Sequence, residues 1–340
     1  ADVRNVASLE DPVGLAFDTK QMSNGLKVLK QRVPLGVLAV IYESRPNVTV
    51  DVASLALKSG NAVILRGGKE TIHSNLALVR IINQALEDCV VSREVVQFID
   101  DPDRVLVNEL LQMSDIIDML IPRGSDRLQK FCRENSRIPV ITGGIGICHL
   151  FVDATAEQSA SVDVIHNAKT QRPSVCNALD TVLVHEAIAK EFIPVIVMRL
   201  QQDSVTVHVP ADVYSWFPDR QQDLEICDDG DFDREWLSLN LGIKVVSGVD
   251  EAIAHIQKHS TGHSDGILTE TKENAGKFVA AVDSAAVYVN ASTRFTDGSQ
   301  LGLGAEVAIS TQRLHARGPM ALEALTTYKW VIEGNYQVRG

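Results

Sequence analysis

The sequence predicts an α/β protein of two domains, the first a doubly wound, nucleotide-binding unit. Short continuous apolar runs, such as residues 37–42 and 62–65, have the β-branched composition of strands buried on both faces of a parallel sheet. Helix-like stretches alternate with them in the rhythm strand, helix, strand, helix. The length of 340 residues exceeds one ordinary domain, since compact domains run ~100–200 residues. With 45% hydrophobic and 22% charged residues the composition is globular rather than disordered.

Element by element, Ser23-Asn24-Gly25 stands between two extended runs and predicts a hairpin over residues 11–36. Residues 36–42 then form the first buried strand, 48–58 a helix stopping at Gly60, and 62–65 a second strand. A helix over 70–86 follows, its apolar spacing set by Leu76, Val79, Ile82 and Leu86. The pattern continues with a strand at 95–99, a helix over 103–113, a strand at 117–121, a turn at Pro122-Arg123-Gly124-Ser125 and a helix to Glu134. A strand at 138–141 leads into Thr142-Gly143-Gly144-Ile145-Gly146. Residues 34–147 read as one unit. A second α/β series is expected beyond it: strand 147–152, helix 162–169, strand 181–184, helix 188–202, and strands 244–246 and 286–289.

Charge narrows the partners. Lys and Arg total 32 against 44 Asp and Glu, a net charge of −12, so the mean field repels nucleic acid and anionic membranes. An anionic ligand must therefore meet a local cationic pocket. The five cysteines, Cys89, Cys132, Cys148, Cys176 and Cys227, are scattered and form no C-x-x-C pair. Neither a disulfide framework nor a zinc ribbon fits, and a cytoplasmic home is expected. No apolar run approaches the ~20 residues that cross a bilayer. The first residue, Ala1, suggests a processed or truncated chain.

Standard phosphate fingerprints fail. Around Gly67-Gly68-Lys69 the leading glycine of a P-loop is missing, and Glu70 stands where a Ser or Thr would hold magnesium. G-x-G-x-x-G is absent, and Gly144-Ile145-Gly146 alone is weak. Two other loops suit a nucleotide better: Leu65-Arg66-Gly67-Gly68-Lys69 at a strand's carboxyl end, and Pro122-Arg123-Gly124-Ser125 before a helix whose N–H groups attract phosphate. These glycines could also serve only as turns. His255, His259 and His263 lack a suitably placed acidic partner, so no metal site is expected. The acidic loop 228–233 reads as a solvated turn. The segment from Asn167 to Ala178 is polar and basic around Cys176, where Lys169 and Arg172 would favour the nucleophilic thiolate. In that context Cys176 becomes a candidate nucleophile, although a lone cysteine is more often a packing residue.

Taken in order, several segments carry a family resemblance: Pro34-Leu35-Gly36-Val37, Tyr42-Glu43-Ser44-Arg45-Pro46-Asn47, Arg66-Gly67-Gly68-Lys69-Glu70, Ile121-Pro122-Arg123-Gly124, Ile141-Thr142-Gly143-Gly144-Ile145-Gly146, residues 168–176, residues 289–298, and Gly302-Leu303-Gly304-Ala305-Glu306. Together they resemble the bacterial γ-glutamyl phosphate reductases, of the aldehyde dehydrogenase superfamily, over essentially the whole chain.

The resemblance implies an aldehyde dehydrogenase-like fold: a Rossmann-type nucleotide-binding domain (1–11 and 34–147), an α/β catalytic domain (148–322), and a β-hairpin oligomerisation flap with the terminal strand (12–33 and 323–340). Family members carry a further N-terminal helical segment, which is expected to be missing here. The implied reaction is NADPH-dependent reduction of L-glutamyl 5-phosphate to L-glutamate 5-semialdehyde and phosphate, the second step of proline biosynthesis from glutamate. Cys176 would attack the acyl phosphate to give a thioester that hydride reduces, with the Cys176 N–H as a first oxyanion donor.

By the same resemblance, the substrate would meet Arg45, Asn47, Arg172, Asn177, Asn290, Ser292, Thr293 and Arg294. The cofactor would meet Arg66, Lys69, Arg123, Gly124, Ser125, Gly143, Gly144 and Glu235. Lys69, with Arg66 near it, suits a 2′-phosphate and hence NADPH over NADH. Hydrolytic relatives place a glutamate just before the paired glycines, where this chain has Ile141 and Thr142, so the thioester would be spared from water. A homo-oligomer and an association with glutamate 5-kinase are further expectations. The competing readings are a hydrolytic, NAD-linked semialdehyde dehydrogenase and a non-catalytic truncated homologue.

Overall fold

The computed structural model describes residues 2–143, 145–217, 223–228 and 230–339. Contacts divide the chain into two compact units, residues 1–143 with 297–340, and residues 144–296.

The first unit opens with helix α1 (Asp2–Ser8), then the hairpin of β1 (Ala16–Gln21) and β2 (Lys27–Pro34). Strand β3 (Val37–Tyr42) follows, with every residue after the first buried. Helix α2 (Asn47–Lys58) turns Val48, Val52, Leu55 and Ala56 inward, the 3.6-residue spacing that its sequence predicts. Next come β4 (Ala62–Arg66), α3 (Ile72–Asp88), β5 (Val96–Phe98), α4 (Arg104–Leu110), β6 (Met119–Arg123) and α5 (Asp126–Asn135). The strands make one parallel sheet in the order β5-β4-β3-β6. The chain therefore winds outward from β3, then crosses back to place β6 on the other side of it. That reversal makes a switch point at the carboxyl ends of β3 and β6, where open α/β sheets bind ligands.

The second unit holds β7 (Cys148–Val152), α6 (Gln158–Thr170), β8 (Leu179–His185), α7 (Glu186–Gln201), β9 (Thr206–Val209), α8 (Ala211–Tyr214), β10 (Leu224–Ile226), β11 (Asn240–Val246), α9 (Val249–His259), β12 (Ser264–Leu268), α10 (Lys272–Ala281) and β13 (Ala286–Val289). Its seven strands are parallel in the order β10-β9-β11-β8-β7-β12-β13. Phe192, Ile193, Ile196 and Leu200 of α7 pack on Val182, Val184, Val207 and Ile243 from the sheet.

The chain then returns to the first unit, through the short pair β14 (Ile309–Ser310) and β15 (Gly318–Pro319) and the terminal strand β16 (Thr326–Glu333). Strand β16 pairs antiparallel with β2 from Thr326↔Pro34 to Glu333↔Lys27, completing the sheet β1-β2-β16.

Several expectations need correction. Pro122 and Arg123 lie inside β6 rather than in a turn; β6 ends its sheet, where a proline costs little because no ladder needs its missing N–H. Residues 138–141 make only an isolated bridge, Leu120↔Val140, rather than a strand. By contacts the second unit closes at residue 296, and Val307, Ala308, Met320, Leu322 and Leu325 are buried in the core of the first. Strands β9, β10 and β12 and helices α9 and α10 were not anticipated. Among the described residues, no helix is long and apolar enough to cross a membrane.

Candidate functional site

Chemistry-bearing residues collect in two places, one in each unit. In the first unit, the carboxyl ends of β3 and β4 and the start of α5 enclose a cavity of about 430 Å³. Its lining includes Tyr42, Glu43, Arg66, Gly68, Lys69, Arg104, Arg127 and Phe131. A hydrogen-bond chain stiffens the wall: Tyr42 Oη lies 2.6 Å from Thr49 Oγ1, Thr49 donates to Asn75 Oδ1 at 3.2 Å, and Asn75 Nδ2 donates to Thr71 Oγ1 at 3.2 Å. Burial pushes the Tyr42 phenol up to about 12, so it stays neutral. Lys69 is exposed at the start of a 3₁₀ turn leading into α3. Arg66 is 9% exposed and donates to the carbonyls of Gly67 (2.8 Å) and Pro102 (2.7 Å), while its buried Nε has no partner. Burial, then the nearby Arg104, lowers its pKa. Arg66, Lys69, Arg104 and Arg127 outnumber the two carboxylates of the lining, Glu43 and Glu70, and give an anionic ligand the local field that the net charge of −12 denies it elsewhere.

The other expected phosphate loop is already occupied. Glu43 Oε2 accepts the Ser125 N–H at 2.7 Å, and Oε1 lies 3.3 Å from Ser125 Oγ. A side chain on Gly124 would meet Glu43 Oε2 at 2.4 Å. The start of α5 therefore holds the chain's own carboxylate, which takes the Ser125 N–H and repels a second anion. Gly143 likewise serves packing: a Cβ there would stand 2.4 Å from the Ile309 carbonyl oxygen. Gly144 lies outside the described residues. Arg123 acts electrostatically on Glu306, whose carboxylate accepts the Gly298 N–H at 2.7 Å.

In the second unit, Cys176 sits half-buried in the irregular segment between α6 and β8. Asn177 beside it is 4% exposed and anchors the segment: its Nδ2 donates to the Thr296 carbonyl at 2.9 Å, and its own carbonyl accepts from Thr293 Oγ1 at 2.8 Å. Arg294 Nε donates to Gln171 Oε1 at 2.8 Å, and Ser292 Oγ caps the Arg294 N–H at 3.3 Å. The fold thus gathers Cys176, Asn177, Ser292, Thr293 and Arg294. Glu235 joins them through Gly146, whose N–H it accepts at 2.8 Å. Gly146 is pressed against the backbone of Cys176, and a Cβ there would be 1.6 Å from the Cys176 carbonyl oxygen.

Other expected residues have different employment. Asn290 spends its side-chain amide on the backbone of Thr269, accepting at 2.8 Å and donating at 2.9 Å, which leaves little of it for a ligand. Arg172 is exposed. Arg45 and Asn47 belong to the first unit, where Asn47 Nδ2 donates to Asp51 Oδ2 at 3.0 Å. Lys169, expected to favour the thiolate, is 0% exposed; it donates to the Leu179 carbonyl at 2.9 Å and faces Asp180. His259 does have an acidic partner, Asp233, at 2.7 Å. Among the described residues no group of His, Cys, Asp and Glu is arranged to hold a metal ion. Sequence reasoning passed over Asp180, Arg104 and Arg127. Nothing local marks them, because only the fold brings them to the site; Gly146 and Glu43 sat inside recognised motifs without a role.

The aldehyde dehydrogenase family profile matches residues 7–213. A γ-glutamyl phosphate reductase of Cronobacter sakazakii is 58% identical over 338 residues, covering 99% of this chain and 81% of that protein. One from Psychromonas ingrahamii is 58% identical over 339 residues, covering 100% and 81%. Among solved structures, the γ-glutamyl phosphate reductase of Thermotoga maritima superposes with a TM-score of 0.95 at 50% identity, covering 99% of this chain and 80% of that one. An acetylating aldehyde dehydrogenase of Geobacillus thermoglucosidasius shares the fold at a TM-score of 0.75 and 19% identity, covering 100% and 83%. In sequence along its whole length and in fold, the chain belongs to the aldehyde dehydrogenase family and, within it, to the γ-glutamyl phosphate reductases.

Proposed function

We propose that this protein reduces L-glutamyl 5-phosphate to L-glutamate 5-semialdehyde and phosphate with NADPH, the second step of proline biosynthesis from glutamate. The proposal rests on the full-length likeness to γ-glutamyl phosphate reductases, and the Cys176 segment supplies the chemistry. Cys176 Sγ attacks the acyl carbon; the carbon–sulfur bond forms, the carbon–oxygen bond to phosphate breaks, and phosphate leaves with the electron pair. The developing oxyanion takes a hydrogen bond from the Cys176 N–H. Arg294, tied to the Cys176 segment through Gln171, would meet the substrate's phosphate and carboxylate, while the buried Ser292 and Thr293 brace that segment. Thr142 occupies itself with Gln312 and Ser310 and carries no carboxylate to activate water. That favours a reductase over a hydrolytic dehydrogenase.

The residues of the first unit fit a phosphorylated nicotinamide cofactor. The cavity carries Arg66, Lys69, Arg104 and Arg127, and the unpartnered buried Nε of Arg66 is a donor awaiting an acceptor. Lys69 and Arg66 would read the 2′-phosphate, and Glu235 would hold the nicotinamide ribose. Once bound, the cofactor supplies the hydride. The sheet β1-β2-β16 would serve oligomerisation, and direct transfer of the labile acyl phosphate from glutamate 5-kinase completes the proposal. Five scattered cysteines suit a reducing cytoplasm.

The test is NADP⁺ reduction with glutamate semialdehyde, with and without inorganic phosphate. Phosphate-dependent turnover is expected, and Cys176→Ala should lose it by roughly 10⁴-fold or more. Turnover without phosphate would establish the hydrolytic alternative; none under either condition would point to the non-catalytic one.

A further inference from the structure

Behind Cys176 lies a buried ion pair that the reaction as described does not use. Asp180 is 2% exposed and Lys169 0% exposed, with Lys169 Nζ 3.9 Å from Asp180 Oδ1. Taking two charges out of water costs more than such a pair commonly returns, and well-packed apolar residues often do as well. Stability alone is therefore a poor account of it. What Asp180 does geometrically is specific. Its Oδ1 accepts the Trp236 N–H at 3.1 Å and its Oδ2 accepts the Cys148 N–H at 3.2 Å. Each of those residues leads straight to the nucleophile. Cys148 Sγ donates to the Cys176 carbonyl at 3.3 Å. Residue 236 follows Glu235, which grips Gly146, and Gly146 is wedged against that same carbonyl.

We propose that Asp180, in its ionised form and held by Lys169, is a positioning residue for Cys176 that fixes residues 146–148 and 235–236 against the nucleophile's backbone. The proposal rests on the reading of Cys176 as the nucleophile. Both carboxylate oxygens accept backbone N–H groups, so a proton on either oxygen would face a donor and break one of the two bonds. An asparagine has the same defect, since its NH₂ must point at one of the two N–H groups. Ionisation is thus the condition for the clamp. Around Asp180 stand Lys169 from α6, Glu235 from the segment before β11 and the Cys148 thiol of β7, with Asp265 of β12 beyond that thiol. Burial lifts the Asp180 carboxyl to about 6, with Lys169 opposing and Glu235 adding to the rise. Burial brings Lys169 down to about 8, opposed by Asp180. At neutral pH both are charged, and acid breaks the clamp first.

The experiment follows kcat for phosphate-dependent oxidation of glutamate semialdehyde across the acid range, together with the KM for phosphate and the rate at which iodoacetamide alkylates Cys176. In the unaltered protein kcat should fall as the pH drops through about 6. Asp180→Asn should lower kcat at neutral pH by about tenfold or more, change the KM for phosphate by less than about twofold, alter the alkylation rate, and abolish that acid limb. Unchanged kcat, or the same acid limb in the variant, would overturn the proposal. Should Asp180→Asn fail to fold, Lys169→Met decides: loss of the stabilising cation should raise the limb's midpoint by about one pH unit, and an unmoved midpoint sinks the idea. Turnover by Cys176→Ala would instead refute the nucleophile itself, an outcome separate from either Asp180 result.

Discussion

The two parallel sheets treat their strand ends in opposite ways. In the first unit the carboxyl ends of β3 and β4 open onto the cationic cavity, the position expected for a ligand near a switch point. In the second, the corresponding switch, between β7 and β12, is closed by the protein itself. Asp153, 2% exposed, follows β7 and accepts hydrogen bonds from Thr269 (2.6 Å), Asn274 (2.9 Å) and Thr155 (3.1 Å). Asn290 then fastens to Thr269. Cys176 sits at the amino ends instead, beside Cys148 at the start of β7 and the segment reaching Thr296, which bonds Ser264 at the start of β12 at 2.6 Å. The difference teaches that topology offers a crevice, while the hydrogen-bond inventory decides whether a ligand has anything left to bind. A carboxylate already taking three donors gains little from a guest; an arginine with an idle Nε gains a bond.

Four substitutions would break or sharpen this contrast. Gly146→Ala should have the largest effect. Its Cβ would fall 1.6 Å from the Cys176 carbonyl oxygen, forcing the Cys176 backbone aside. Stability should drop by roughly 3 kcal/mol and kcat by about a hundredfold, read by thermal melting and steady-state rates. A near-native rate would mean the amino-end site tolerates displacement and is not the preorganised one.

Lys69→Glu comes next and probes the open end. Placing a negative charge in the cavity should weaken NADPH by on the order of ten- to hundredfold, with NADH much less affected. Equal losses in a titration with both cofactors would show that Lys69 does not read the 2′ position.

Asp153→Asn tests the closed end. It replaces a charge-assisted acceptor within a filled network and should cost about 2 kcal/mol of stability at neutral pH, with kcat kept within about twofold. Burial raises the Asp153 carboxyl, but the bonds from Thr269, Asn274 and Thr155 outweigh it and leave it below its ordinary 3.8. A carboxyl lowered by folding stabilises above its unfolded value and loses that contribution as pH falls through its folded one. The melting curves of the two proteins should therefore converge below 3.8. A large loss of kcat in the well-folded variant would turn the plug into part of the site.

Arg172→Ala should be the mildest. The side chain is exposed, so screened contacts with phosphate predict a rise in phosphate KM of about two- to fivefold. The affinity for NADPH should not change, as equilibrium binding would check. A rise above a hundredfold would place Arg172 inside the pocket.

Much of the fold was legible because strand and helix signals in the first unit are local. The alternation of 37–42, 48–58, 62–65 and 70–86 is written in residue spacing, and the structure follows it closely. Elements such as β12 escaped notice because Ser264-Asp265-Gly266 begins it with polar and flexible residues that are buried only between β7 and β13. The site was half legible. Cys176 stood out by its basic surroundings, yet the basic residue beside it, Lys169, turned out to face Asp180. Sequence proximity says which charges are near along the chain, not which way a helix turns them.

The sequence by itself determined the α/β class, the doubly wound first unit, the hairpin and, through long idiosyncratic motifs, the family. Each follows from periodicity or from residues adjacent in the chain. Only the tertiary structure decided that Glu43 fills the start of α5, that Asp153 closes the switch point of the second sheet, and that residues 297–340 return to the first unit. It alone set Asp180 behind Cys176. Those outcomes depend on hydrogen bonds between residues up to more than a hundred positions apart. A bond of that kind exists only once the intervening chain has folded, and nothing in the local sequence announces its partner.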